Sequence, residues 1–103
     1  MPDFAADVTV EVSGDTATLA ISGEVDIASA PGLRDQLQRL NARNVVVDLS
    51  GVTFIDSTGL GVLVAALKRA REAGGQLTLR APTRSTRKVL DITGLSQLVT
   101  IEE

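Results

Sequence analysis

A serine hydroxyl can attack an acyl carbon, cap a helix or accept a phosphoryl group, and the neighbours of Ser57 in Asp56-Ser57-Thr58-Gly59-Leu60-Gly61 bear on which. Attack needs a base, and the 103 residues contain no histidine and no cysteine. That absence removes the Ser-His-Asp arrangement, the thiolate nucleophile and the imidazole or thiolate metal site together. A nucleophile elbow reads Gly-x-Ser-x-Gly, yet position 55 is Ile55. Gly59 and Gly61 do not complete a phosphate loop or a dinucleotide fingerprint, since the lysine of the first and the third glycine of the second are missing. Carboxylates and lysines can still serve as bases, so catalysis is disfavoured without being excluded. Capping and phosphoryl acceptance remain beside it. Asp56 and Ser57 are both preferred N-cap types, so one of them should cap a helix beginning here. The free N–H groups and macrodipole of that helix start favour an anion, so a phosphate on Ser57 would be stabilised locally.

The flanking segments position this hydroxyl. Val45-Val46-Val47-Asp48-Leu49 reads as a buried parallel strand of the type covered on both faces, with Ser50-Gly51 supplying turn chemistry after it. Leu60, Leu63, Val64, Leu67 and Ala70 recur at helical spacing as far as Gly74-Gly75, which predicts a helix over 57–73 ended by glycine. Upstream, Val8, Val10 and Val12 and then Ala17, Leu19 and Ile21 alternate about a Gly14-Asp15 turn, an antiparallel pair that Gly23 should close. Leu33, Leu37 and Leu40 mark a first helix, with Ser29 as candidate N-cap and Pro31 in its first turn. Gln76 to Arg80 alternates as a strand with Leu77 and Leu79 on one face, and Pro82 interrupts regular structure. Thr83 can cap a short helix carrying Val89, Leu90 and Ile92 and ended by Gly94, and Leu98, Val99 and Ile101 read as a last strand. The order β-β-α-β-α-β-α-β predicts an α/β domain, a mixed five-strand sheet with helices packed against it through right-handed crossovers.

Hydrophobic residues make up 44% of the chain, enough for one core without staples. A net charge of −3, no tryptophan or tyrosine, and Phe4 and Phe54 as the only aromatics disfavour nucleic acid as a partner. The start, Met-Pro-Asp-Phe-Ala-Ala-Asp, has neither a basic region nor an apolar stretch, so the expected location is cytoplasmic, with no membrane partner. No catalytic residue, metal ligand or cofactor is expected. Arg84, Arg87 and Lys88 share a face of the third helix, and Asp26 closes Gly23-Glu24-Val25-Asp26 as a turn acid. Both read by default as solvated surface.

Taken together, Gly23-Glu24-Val25-Asp26, Ala30-Pro31, the strand 45–49, Gly51-Val52-Thr53-Phe54-Ile55-Asp56-Ser57-Thr58-Gly59-Leu60-Gly61-Val62-Leu63 and Ile92-Thr93-Gly94-Leu95 resemble the STAS domain of bacterial anti-sigma-factor antagonists. The resemblance runs in order from about residue 8 to the end. It implies a partner-switching cycle in which the unphosphorylated chain binds an anti-sigma factor that is also an ATP-dependent serine kinase, releasing the sigma factor. Phosphorylation of Ser57 would break that contact and a PP2C-type phosphatase would restore it. Partner contacts are implied at Asp26, Asp56, Thr58, Gly59, Leu60 and Gly61, with Thr58 as a conceivable second acceptor. An alternative within the same family is a STAS subunit of a membrane transporter or lipid-export complex. Family members commonly continue into a C-terminal helix, whereas this sequence stops at Thr100-Ile101-Glu102-Glu103. The expected domain is therefore 1–103, with a core of about 8–101 and no such helix.

Overall fold

The computed structural model describes residues 6–103; residues 1–5, on which most of the reading of the chain start rests, lie outside it. The elements are β1 (Ala6–Ser13), β2 (Thr16–Val25), α1 (Ala30–Arg39), β3 (Asn44–Ile55), α2 (Ser57–Glu72), β4 (Leu77–Arg80), α3 (Arg84–Thr93), a 3-10 turn (Leu95–Gln97) and β5 (Thr100–Glu102). The five strands lie side by side in chain order, β1 antiparallel to β2 and the rest parallel. Each parallel step moves the same way across the sheet, so right-handed crossovers place α1, α2 and α3 on one face. Their apolar residues, among them Leu33, Leu37, Leu63, Leu67 and Leu90, join Leu19, Val47, Leu49, Leu77 and Leu79 in a single core.

One helix layer leaves the other sheet face open, which corrects the expectation of a strand covered on both sides. Val46 and Asp48 are only half-buried and Ser50 is exposed. Thr18, Val46 and Thr78 form one row of that face, and Ala20, Asp48, Arg80 and Glu102 the next. Arg80 Nε lies 2.8 Å from Glu102 Oε1, tying β4 to β5 across the surface.

Neither Ser50-Gly51 nor Gly23 ends a strand. β2 and β3 continue together, with register shifts between Ala20 and Ser22 and again between Gly23 and Glu24, each adding one residue to β3. These are bulges, which bend a strand and increase its twist while keeping it paired. Glycine is required at both: Gly23 has φ +98°, and a Cβ on Gly51 would stand 2.8 Å from Ser22 Cβ. Residues favoured in turns are favoured in bulges for the same conformational reason, so the local sequence cannot tell the two apart.

The remaining differences are smaller. α2 buries Gly59, Val62, Leu63, Ala66, Leu67 and Ala70, a stripe turned slightly from the expected one, with Val64 exposed and Leu60 half-buried. Thr83 caps α3 as expected, accepting from Thr86 N–H at 3.3 Å, and Gly94 ends it at φ +81°. Ile92 points to solvent, and Leu98 lies before β5 rather than in it. Arg87 is not free surface: it pairs with Asp91 at 3.1 Å and with Glu103, whereas Arg84 and Lys88 are exposed.

Candidate functional site

The bulged ends of β2 and β3 finish level, with Val25 beside Ile55. Asp56 N–H donates to the Val25 carbonyl at 3.1 Å, so the loop after β2 and the start of α2 are joined by one backbone bond. Asp56 is the N-cap, extended at φ −106°, ψ −175°, and its Oδ1 accepts from Gly59 N–H at 3.0 Å. Its own carbonyl accepts the Leu60 N–H at 3.0 Å. That leaves the Ser57 and Thr58 N–H groups, at the first two helical positions, without an intrahelical acceptor.

Ser57 occupies the first of these positions and is exposed. Its hydroxyl forms no hydrogen bond among the described residues. Asp56 has thus taken the capping task and left Ser57 available for other chemistry. Thr58 and Leu60 are half-buried beside it, and Leu60 packs on the core.

Gly59 and Gly61 have different causes. A Cβ on Gly59 would lie 2.7 Å from Val25 Cγ1, 2.8 Å from the Val25 carbonyl oxygen and 2.9 Å from Ile55 Cγ1. Gly59 is buried and lets the helix seat against β2, so it offers no surface to a partner and its place in the implied contact set becomes one of packing. A Cβ on Gly61 would meet nothing within 4 Å. Gly61 lies one turn beyond Ser57 on the same exposed face, where a glycine costs helix stability of about 0.5–1 kcal/mol and packing supplies no reason for it.

Across the Val25 bond, Asp26 organises its loop instead of projecting freely. Its Oδ1 accepts from Ala28 N–H at 3.0 Å and Ser29 N–H at 3.1 Å. Ser29 stands at the N-cap position of α1, but its buried hydroxyl turns back, accepting from Asp26 N–H at 3.0 Å and donating to the Glu24 carbonyl at 2.9 Å. The expected side-chain cap from Ser29 is absent, and the Asp26 carbonyl accepts from the N–H of Ala30, the first helical residue, at 2.8 Å. The hydrogen-bonded turn leaves Ile27 75% exposed, and Phe54, beside Glu24 at the end of β3, is 49% exposed. Sequence reasoning passed over both. Neither had a local signal, since Ile27 stands beside Ala28 and Phe54 continues in sequence the alternation begun at Val52.

The site is thus an exposed hydroxyl at a helix start, two free N–H groups, one carboxylate engaged in capping, and two apolar side chains at the same end of the sheet. Among the described residues no three His, Cys, Asp or Glu gather as a metal site would require, and no helix is long and apolar enough to cross a membrane. A two-layered α/β domain, one sheet and one layer of helices, with a serine at the tip of its central strand-to-helix turn is the class that fold and site define. The chain belongs to the STAS-domain family, whose model, described as "Mlab, STAS domain", matches residues 8–100. It is 35% identical over 96 residues to the anti-sigma-B factor antagonist of Bacillus subtilis (strain 168), an alignment covering 91% of this chain and 88% of that protein. Among solved structures it is similar to an anti-sigma factor antagonist from Mycobacterium paratuberculosis, with a TM-score of 0.86 and 26% identity over 98% of this chain and 88% of that one. The fold is also that of the anti-sigma factor antagonist SpoIIAA in its unphosphorylated form, at a TM-score of 0.81 and 19% identity, covering 94% and 89% of the two chains.

Proposed function

We infer that the chain is an anti-sigma factor antagonist that works by partner switching in the cytoplasm, with Ser57 as its phosphoryl acceptor. In the unphosphorylated state the exposed end of the domain, with Ile27, Phe54 and the α2 start, docks on an anti-sigma factor that is also a serine kinase, and the sigma factor is released. The kinase transfers the γ-phosphoryl group of ATP to Ser57 Oγ, the hydroxyl proton passes to a base on the kinase, and ADP leaves. A PP2C-type phosphatase reverses the change by hydrolysis.

The observation that carries this reading is the exposed Ser57 hydroxyl at the first position of a helix that Asp56 already caps. A phosphate there adds about −1.5 to −2 charges, accommodated locally by the Ser57 and Thr58 N–H groups and the helix dipole. The same charge beside Asp56 cannot be buried against a partner without a compensating cation, so docking is lost while the fold is kept. The names of the curated relatives support an antagonist over a transporter or lipid-export subunit.

A pull-down from the native cytosol with the unphosphorylated chain tests the reading. It should capture a soluble kinase that phosphorylates the wild type with ATP and leaves Ser57→Ala unmodified, and Ser57→Asp should lose the capture. Equal labelling of Ser57→Ala would refute the acceptor, and co-isolation with a membrane ATPase would refute the antagonist reading.

A further inference from the structure

β1 is an edge strand of eight residues whose outer side is paired by no strand among the described residues. Its sequence, Ala-Asp-Val-Thr-Val-Glu-Val-Ser, carries no lysine, arginine or proline, so only the carboxylates of Asp7 and Glu11 are left to blunt the edge. Because the two-residue turn Gly14-Asp15 joins Ser13 to Thr16, that pair is hydrogen-bonded, and Thr9 and Glu11 likewise aim their backbone groups at β2. Val8, Val10 and Val12 therefore aim theirs at the open edge. The alternation holds on β2, where the Asp15 and Val25 carbonyls accept from Asn44 and Asp56 on the far side. Val10, opposite Leu19, and Val12, opposite Ala17, lie on the helix side of the sheet, yet they are 38% and 63% exposed because β1 reaches past the helix layer.

We propose that β1 pairs with β1 of a second copy of this chain, antiparallel about a two-fold axis at Val10, joining the two five-strand sheets. Charge and overlap together select the register, since an axis at Val8 or Val12 opposes no like charges but pairs fewer residues of the strand. An axis at Thr9 sets Asp7 opposite Glu11 of the second copy, and an axis at Glu11 sets two glutamates face to face; like charges directly opposed destabilise a strand pair. With the axis at Val10, Asp7 meets Ser13 and Glu11 meets Thr9, while Val8 meets Val12 and Val10 meets itself. The outward backbone groups of all three valines then fall into hydrogen-bonded pairs, and the exposed valines cover one another. The two Ser57 loops lie at opposite ends of the joined sheet, since Ala6 pairs with Gly23 at the site end of β2 and Ser13 with Thr16 at the other. Each copy keeps its own site open.

Sedimentation equilibrium of the full chain, up to on the order of 1 mM, tests this. A monomer–dimer equilibrium is expected. Val10→Lys, which places two ammonium groups at the axis, should raise the dissociation constant about tenfold or more. Thr9→Lys sets an ammonium group of each copy opposite Glu11 of the other and should lower it roughly 2- to 30-fold. Both positions are exposed, so circular dichroism and melting should stay those of a folded chain. A strictly monomeric chain, or a Thr9→Lys dimer weaker than wild type, overturns the proposal. Ser57 phosphorylation is read separately and can stand or fall alone.

Discussion

Two glycines two positions apart in α2 should respond to alanine with opposite signs. At Gly59 the new Cβ must fit 2.8 Å from the Val25 carbonyl oxygen and 2.7 Å from Val25 Cγ1. The carbonyl cannot yield without disturbing the 3.1 Å bond it accepts from Asp56 N–H. Overpacking costs typically about 1–3 kcal/mol, and strain on that bond adds to it, while the removal of a helical glycine returns only about 0.5–1 kcal/mol. Gly59→Ala should therefore lose roughly 1–2 kcal/mol, a fall in Tm of about 4–16 °C for a domain near this size. At Gly61 nothing lies within 4 Å, so the propensity gain of about 0.5–1 kcal/mol is uncompensated and Gly61→Ala should be the more stable protein. Urea unfolding curves with a shared slope measure both. A Gly59→Ala chain as stable as wild type, or a destabilised Gly61→Ala, would refute the assignment of packing to one glycine and openness to the other.

Asp56→Ala removes the cap on Gly59 N–H and should cost about 0.5–2 kcal/mol in urea unfolding, with Asp56→Ser recovering most of it. Asp48 has its carboxyl held below the usual value of 3.8 by the Ser50 backbone N–H first, then the Ser50 hydroxyl and the Arg80 guanidinium. A carboxylate with a lowered folded pKa stabilises the fold above its unfolded pKa and stops doing so as pH falls through the folded one. The stability difference between wild type and Asp48→Asn should thus be constant at neutral pH and shrink below pH 3.8; an increase on acidification would contradict the Ser50 contact.

Caps were the most legible part of this chain. Asp56, Thr83, Gly74 and Gly94 mark helix ends by local chemistry alone, and the structure uses each as its residue type suggests. The strand-to-helix turn bearing Ser57 was legible for the same reason. What escaped depends on distant neighbours. Ser50-Gly51 reads as a turn until β2 is set beside it with its register shifts. Ser29 looks like a cap until Asp26 and Glu24 claim its hydroxyl. Val45 to Leu49 is apolar enough for burial on both faces, and only the chain-order sheet shows that the helices all fall on one. Gly59 and Gly61 are indistinguishable in sequence, because their difference lies entirely in what faces them.

The paired bulges also set where the site points. Ser50 and Gly51 lie between buried Leu49 and Val52, and Thr53 and Phe54 between Val52 and Ile55, all four exposed. Shortening either stretch by one residue restores simple alternation and leaves every core side chain facing inward. What such a deletion removes is about 3.3 Å of strand and the bend that goes with it. The strand would then stop short of Val25, and the helix start would be aimed elsewhere and lose its contact with Val25. The angle at which Ser57 is presented therefore depends on those two extra residues of β3, and deleting either gives up the Asp56–Val25 bond and the seat of Gly59.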